Sequence, residues 1–308
     1  DNKGVLVIAA TNNADILDKA LTRAGRFDRT IVIAPPEDWR VRKQLFEHFT
    51  EKMLLNADVD LEKLARQSGG FTGADIQVVC NEAALIAIGR NQEDVTMDNF
   101  EEGIDKKILK GNRSMREQKQ AEKDLTMYHE AGHAVISYLL KKLISRVTVV
   151  GTTSGVGGFV LHEEAEETYR TKADFEHDIM ISYAGRASEE IKFGKDNISI
   201  GASSDITQAT KLLKVYVMQV GFDKETGLLD LNTVAQYDEE KVFARMKEIA
   251  NKLYAETLDL LSRNYGYVEK LVGALREKET LSGNEVYELF EGTDEDAQNN
   301  RNTNEVEE

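Results

Sequence analysis

The chain has 308 residues, a formal charge of −16 and one cysteine, so it can form two or three domains with cores of their own and cannot hold a disulfide framework. Its acidity excludes a general nucleic-acid binder, because phosphate affinity comes from concentrated Lys and Arg. The longest apolar runs, such as Val5 to Ala10, fall far short of the roughly 20 residues of a membrane-spanning helix, and no secretory leader opens the sequence, so the chain as given reads as soluble.

Residues 1–37 read as strand, helix, strand. VLVIAAT is an uninterrupted β-branched run, ILDKALTRAG has helical spacing, and RTIVIA is a second buried-type strand that Pro35 and Pro36 terminate. From Asp38 to Lys110 the pattern changes to helices: WRVRKQLFEHFTEKML, DLEKLARQ, TGADIQVVCNEAALIAIG and TMDNFEEGIDKKILK. Thr72 and Thr96 stand at N-cap positions, Gly69-Gly70 is a stop signal, and Cys80 reads as a core residue. The polar run over 111–124 marks a linker. Beyond it come an apolar helix carrying two histidines, a β-rich patch (SRVTVV, then GGFVLHEE), helices from about Asp174 to Val220, and two long helices within 238–290. Residues 291–308 hold seven acids against Arg301 and almost nothing apolar, the composition of a disordered, solvated tail.

The histidine helix contains TMYHEAGHAVISYLL. Residues four apart lie one above the other on a helix, so His129 and His133 present two imidazoles to one point, with Glu130 offset by about 100°. That is the spacing of a zinc-binding H-E-x-x-H helix, in which the carboxylate takes a proton from water activated by the metal. Gly132, costly inside a helix by about 1 kcal/mol against alanine, calls for a close approach of backbone or substrate. The alternative is a pair of satisfied histidines on a packed helix, which the spacing makes the weaker reading. A catalytic zinc needs a third protein ligand and an open position. The metzincin pattern would place it six residues after His133, where Leu139 stands. The remaining candidates are His162, His177, Glu189, Glu190 and Asp205, and periodicity does not choose among them. Glu189 and Glu190 diverge by about 100° on one helix, so at most one faces a metal and the other should be solvated. His162 and His177 have easy surface explanations.

Together these motifs resemble the FtsH-type ATP-dependent zinc metalloproteases, AAA+ ATPases fused to a zinc metallopeptidase. VIAATNNADILDKALTRAGRFDR resembles the second region of homology of the AAA domain, and GGFTGADIQVVCNEAAL its helical lid. HEAGHA, GRASEEIKFG, GASSDITQAT and KETLSGNEV follow in the order of the peptidase domain. The resemblance implies a multidomain fold, α/β followed by mainly α: the C-terminal part of an AAA+ α/β domain (1–37), the helical lid (38–110), the linker (111–124), a mostly helical zinc metallopeptidase domain with a small β element (125–290) and the acidic tail (291–308). It implies Zn2+ held by His129, His133 and Asp205, with Glu130 as general base. Asp205 alone would read as an ordinary helix N-cap. The resemblance further implies Asn12, Arg26 and Arg29 at a nucleotide between subunits, and Gly73 and Ala74 near its base.

The expected activity is ATP-dependent cleavage of unfolded or misfolded proteins by a homo-hexamer. Its home would be the bacterial inner membrane, catalytic domains in the cytoplasm, or an organellar membrane, with membrane contact only through a region N-terminal to this sequence. No G-x-x-x-x-G-K-[ST] occurs in the 308 residues, which suggests the C-terminal portion of a longer protein, using ATP with Mg2+ only when whole. The competing expectation is a proteolytically silent assembly or regulatory subunit; an intact HEAGH and Asp205 weigh against it.

Overall fold

Two hydrophobic cores organise the chain. The computed structural model describes residues 4–11, 13, 17–18, 20–23, 25–109, 119–151, 157–163 and 170–292. The first core gathers four helices: α1 (Trp39–Thr50), α2 (Leu61–Gln67), α3 (Gly73–Gly89) and α4 (Met97–Leu109). Three of the four starts carry a side-chain cap. Asp38 and Asp60 accept backbone N–H bonds at the first turns of α1 and α2, and Thr72 with Asp75 forms a reciprocal capping box at α3. Phe46, Leu64, Ile76, Cys80, Phe100 and Ile104 fill the centre, all fully buried. Arg42 is buried among them because its guanidinium donates to the carbonyls of Ala65, Pro36 and Glu37, tying α1 to α2 and to the segment before it.

The second core is built on α5 (Gln120–Leu139) and α6 (Lys172–Phe193), which cross antiparallel, with α7 (Ser203–Met218), α8 (Glu239–Arg263), α9 (Tyr265–Glu277) and a helix over 283–292 around them. A capping box of Thr171 and Asp174 starts α6, and Asp238 caps α8. Three short antiparallel strands complete it: β1 (Ile144–Thr148) lies between β2 (Phe159–His162) and β3 (Thr280–Ser282). All five residues of β1 are buried, because Ile144 and Val147 enter the helical core while Ser145 and Arg146 meet α2 and α4.

The α/β layer expected over 1–37 is absent among the described residues. Residues 5–11 and 28–37 carry no regular secondary structure, and Leu6 and Ile33 are 84% and 91% exposed. A strand satisfies its backbone only against a neighbouring strand, and no described segment pairs with either run. Most of the expected linker (111–118 of 111–124) and of the acidic tail (293–308), together with Lys110 and Asn12, lie outside the described residues. Among those residues no helix is long and apolar enough to cross a membrane.

Candidate metal centre

The crossing of α5 and α6 is set by two glycines. A side-chain carbon on Gly132 would run into the Ala184 carbonyl and the Ser188 side chain, and one on Gly185 would sit 2.5 Å from ring atoms of both His129 and His133. With neither present, Ser188 Oγ donates to the Tyr128 carbonyl at 2.5 Å, and the imidazoles lie in the groove between the helices. The close approach that Gly132 called for is therefore helix-to-helix contact.

Each histidine is held through Nδ1. His129 Nδ1 lies 2.7 Å from Glu189 Oε1, and His133 Nδ1 donates to the Ile181 carbonyl at 2.7 Å. These bonds orient both rings and turn both Nε2 atoms toward one point. Asp205 arrives there from the first turn of α7. It is not the N-cap: that position is Ala202 and has no side-chain cap. Its carboxylate is turned away from its own helix, with Oδ2 3.2 Å from His129 Nε2 and 3.7 Å from His133 Nε2, while the two Nε2 atoms are 3.1 Å apart.

A tetrahedral zinc with bonds of about 2.0–2.1 Å has ligand-to-ligand edges of about 3.3–3.4 Å. The observed triangle of 3.1, 3.2 and 3.7 Å lies within about 0.4 Å of that face, and a small movement of the Asp205 carboxylate would close it on a metal. Two imidazoles and one carboxylate are also a fitting donor set for zinc at a catalytic site. Among the described residues this is the one group of three His, Cys, Asp or Glu side chains able to hold a metal ion.

Glu189 is fully buried and holds two parts of the site together. Beyond His129, it accepts from the Ser199 backbone N–H at 2.7 Å and from Ser199 Oγ at 3.1 Å, fixing the loop that carries Asp205. These contacts, made to His129 and to the loop before Asp205 and not within the triangle of donors, were not foreseen from the sequence. One signal was available: Glu189 lies four residues after Gly185, on the same helix face. One of the two glutamates was expected in solvent; the second, Glu190, instead accepts from Tyr254 O–H at 2.6 Å.

The electrostatics follow the contacts. Burial opposes a charge on His129, but its bonds to Asp205 and Glu189 outweigh that and raise its pKa. Burial likewise opposes the charge on Asp205, and the two imidazoles hold its carboxyl well below the usual range. Glu130, 6% exposed, is pushed up by burial against the pull of His133 and His129.

The site opens into a cleft of about 800 Å³ lined by Glu130, both histidines, Asp205 and Phe159, Val160 and His162 of β2. Gly158, just before β2, lies against Glu130: a side-chain carbon there would be 2.8 Å from Glu130 Cγ. His162, expected at the surface, instead lines the cleft, its Nε2 2.8 Å from Ser137 Oγ, but stands outside the triangle of donors. His177 is not among the cleft residues. Arg26 and Arg29 are exposed in the N-terminal segment, Arg26 donating to the Ala20 carbonyl at 2.8 Å. Gly73 and Ala74 open α3. None of these four joins the cleft.

The sequence profile of peptidase family M41 matches residues 116–289. The AAA+ lid domain matches residues 58–102, and the ATPase family associated with various cellular activities matches residues 1–35. The chain is 35% identical over 310 residues to the ATP-dependent zinc metalloprotease FtsH 3 of Symbiobacterium thermophilum, covering 94% of this chain and 49% of the relative. It is 36% identical over 306 residues to the FtsH protease of Rubrobacter xylanophilus, covering 94% and 46%. With the FtsH protease of Thermotoga maritima the identity is 34% over 307 residues, covering 94% and 50%. The chain thus spans about half the length of the curated relatives it matches.

Proposed function

The chain belongs to peptidase family M41, and on that premise we propose that it is the proteolytic portion of an FtsH-type, ATP-dependent zinc metalloendopeptidase. The observation that carries this reading is the triangle of His129, His133 and Asp205 donor atoms at zinc-ligand spacing, beside the buried Glu130 and open to a cleft. In this reading those three residues hold zinc, and Glu189 and the Ile181 carbonyl keep the two imidazoles aimed. When bound, zinc supplies Lewis acidity toward a carbonyl and acidifies water. Glu130 takes the proton of the attacking water and delivers it to the leaving amide nitrogen. Peptide lies in the cleft as a strand added to the free edge of β2, which among the described residues pairs only with β1.

The wider reading extends to the whole protein. Its substrates are unfolded or misfolded proteins, its assembly a homo-hexamer, and its energy source ATP with Mg2+, with Asn12, Arg26, Arg29, Gly73 and Ala74 on the nucleotide side. Its place is the bacterial inner membrane or an organellar membrane, and nucleic acid is not a partner. The domain limits proposed are 1–37, 38–110, 111–124, 125–290 and 291–308. The deciding experiment is casein or quenched-peptide cleavage by the zinc-loaded chain beside Glu130→Gln. Cleavage that needs zinc and disappears in Glu130→Gln, with zinc retained, is the expected result. A Glu130→Gln protein that cleaves like its parent would refute the mechanism.

A further inference from the structure

β1 reads ISRVT, and an arginine in the centre of a wholly buried strand needs a counter-charge. The lid supplies it. Arg146, 5% exposed, donates through Nη2 to the Glu101 carbonyl at 3.0 Å and to the Asp105 carboxylate, with Nη1 3.4 Å from Glu101 Oε2. Both acids belong to α4. From α2, Gln67 Nε2 reaches Ser145 Oγ at 2.5 Å and Glu101 Oε1 at 3.3 Å, and Lys63 Nζ stands 3.1 Å from Glu101 Oε1. Leu161 of β2 packs against the lid core. The joint is nearly saturated: Arg146 Nε and Gln67 Oε1 are the buried atoms in it without a partner. A buried guanidinium that lost these carboxylates would be strongly destabilised, so the joint opens only if Arg146 finds water.

The same strand holds the edge that faces the catalytic cleft. Arg146 is paired in register with Leu161, and Thr148 with Phe159. Gly158, next in line, sits against the Thr148 carbonyl and the Glu130 side chain. The lid acids, Arg146, the β1–β2 register and the wall over Glu130 therefore form one continuous set of contacts.

We propose that Arg146 is a positioning residue that links the lid to the β2 edge, so that docking of the lid sets the geometry in which peptide is held. It relies on the peptidase reading only for the identity of the substrate. Displacing α2 and α4 pulls on Arg146, shifts β1 against β2 and loosens the edge, while the ligands on α5 and α7 stay in place.

The test uses the full chain with Arg146→Met, Arg146→Lys and the lid double substitution Glu101→Gln with Asp105→Asn. Hydrogen exchange is read at the amides of 159–163, together with zinc content and peptide kinetics. In Arg146→Met and in the lid variant, exchange at 159–163 should rise about ten-fold or more. KM should rise about three- to ten-fold with kcat within about two-fold, and zinc content should not change. Arg146→Lys should fall between these and the parent. The lid variant is decisive, because it alters no residue of the peptidase core. If exchange speeds up in α4 while 159–163 stay as protected as in the parent, the link does not exist. If Arg146→Met loses zinc and kcat together, Arg146 supports the peptidase fold and transmits nothing. Absence of cleavage by the parent would count against the peptidase reading alone, with exchange still deciding the link.

Discussion

Replacing Gly185 by alanine tests how tightly the two imidazoles are wedged between α5 and α6. The added methyl would lie 2.5 Å from His129 Cε1, His129 Nε2 and His133 Nε2, where ordinary contact begins near 3.4 Å. The rings or the helices must therefore recede by about 0.9 Å, and the helices are already locked by the Ala184 carbonyl over Gly132. Overpacking of this kind costs about 1–3 kcal/mol, against a helix-propensity gain of about 1 kcal/mol for alanine over glycine. The net loss of stability in chelator should thus be at most about 2 kcal/mol. Zinc affinity should suffer more, because ligand positions tolerate only about ±0.2 Å, and a fall of at least about ten-fold is expected. Gly273 in α9, with nothing within 4 Å of the same position, is the control: Gly273→Ala should gain about 1 kcal/mol and leave zinc binding alone. Denaturant unfolding in chelator and competition with a chromophoric chelator read the two quantities. A Gly185→Ala protein that is stabilised like Gly273→Ala and binds zinc as tightly as the parent would refute this packing.

Three further outcomes are expected. Glu189→Gln, which removes the carboxylate that orients His129 and anchors Ser199, should lower zinc affinity about 10- to 100-fold in a chelator competition while the far-ultraviolet circular dichroism is unchanged. Burial, reinforced by the Lys142 ammonium, pulls the His162 pKa from 6.5 down to about 4. The unfolded chain therefore takes up this proton first as pH falls, and up to about 3 kcal/mol of stability, present above pH 6.5, is lost as pH falls toward 4. His162→Gln should flatten that part of the stability profile measured in chelator, and an unaltered slope would contradict the burial assigned to the ring. Thr72→Ala, which breaks the capping box of α3, should cost the lid about 1 kcal/mol, read as faster hydrogen exchange in α3 with zinc content unchanged.

What could be read in the sequence was what repeats at short range. The i, i+4 spacing of His129 and His133, the Thr72 cap and the burial of Cys80 are local properties, and the structure bears them out. The strands expected over 1–37 are not formed among the described residues, because a β-branched run records a preference that only a neighbouring strand can satisfy. The surroundings of Glu189, Glu190 and His162 were illegible for a related reason. Their partners lie far along the chain, at His129, Tyr254 and Ser137, and helix phase alone does not say which distant element covers a given face. Asp205 was reached through family resemblance, since an aspartate in a first helical turn is commonplace. Its turn away from its own helix toward the imidazoles is a tertiary fact.

The proposed zinc centre is tested most directly by the identity of the atoms that bind the metal. X-ray absorption at the zinc edge, on the chain loaded with one equivalent and on its Asp205→Asn variant, reads that identity. The parent should show a nitrogen and oxygen shell at about 2.0–2.2 Å with scattering from two imidazoles, and the variant a weakened or rearranged site. A third imidazole in the parent, or a spectrum indifferent to the loss of the Asp205 carboxylate, would contradict the triangle of His129, His133 and Asp205.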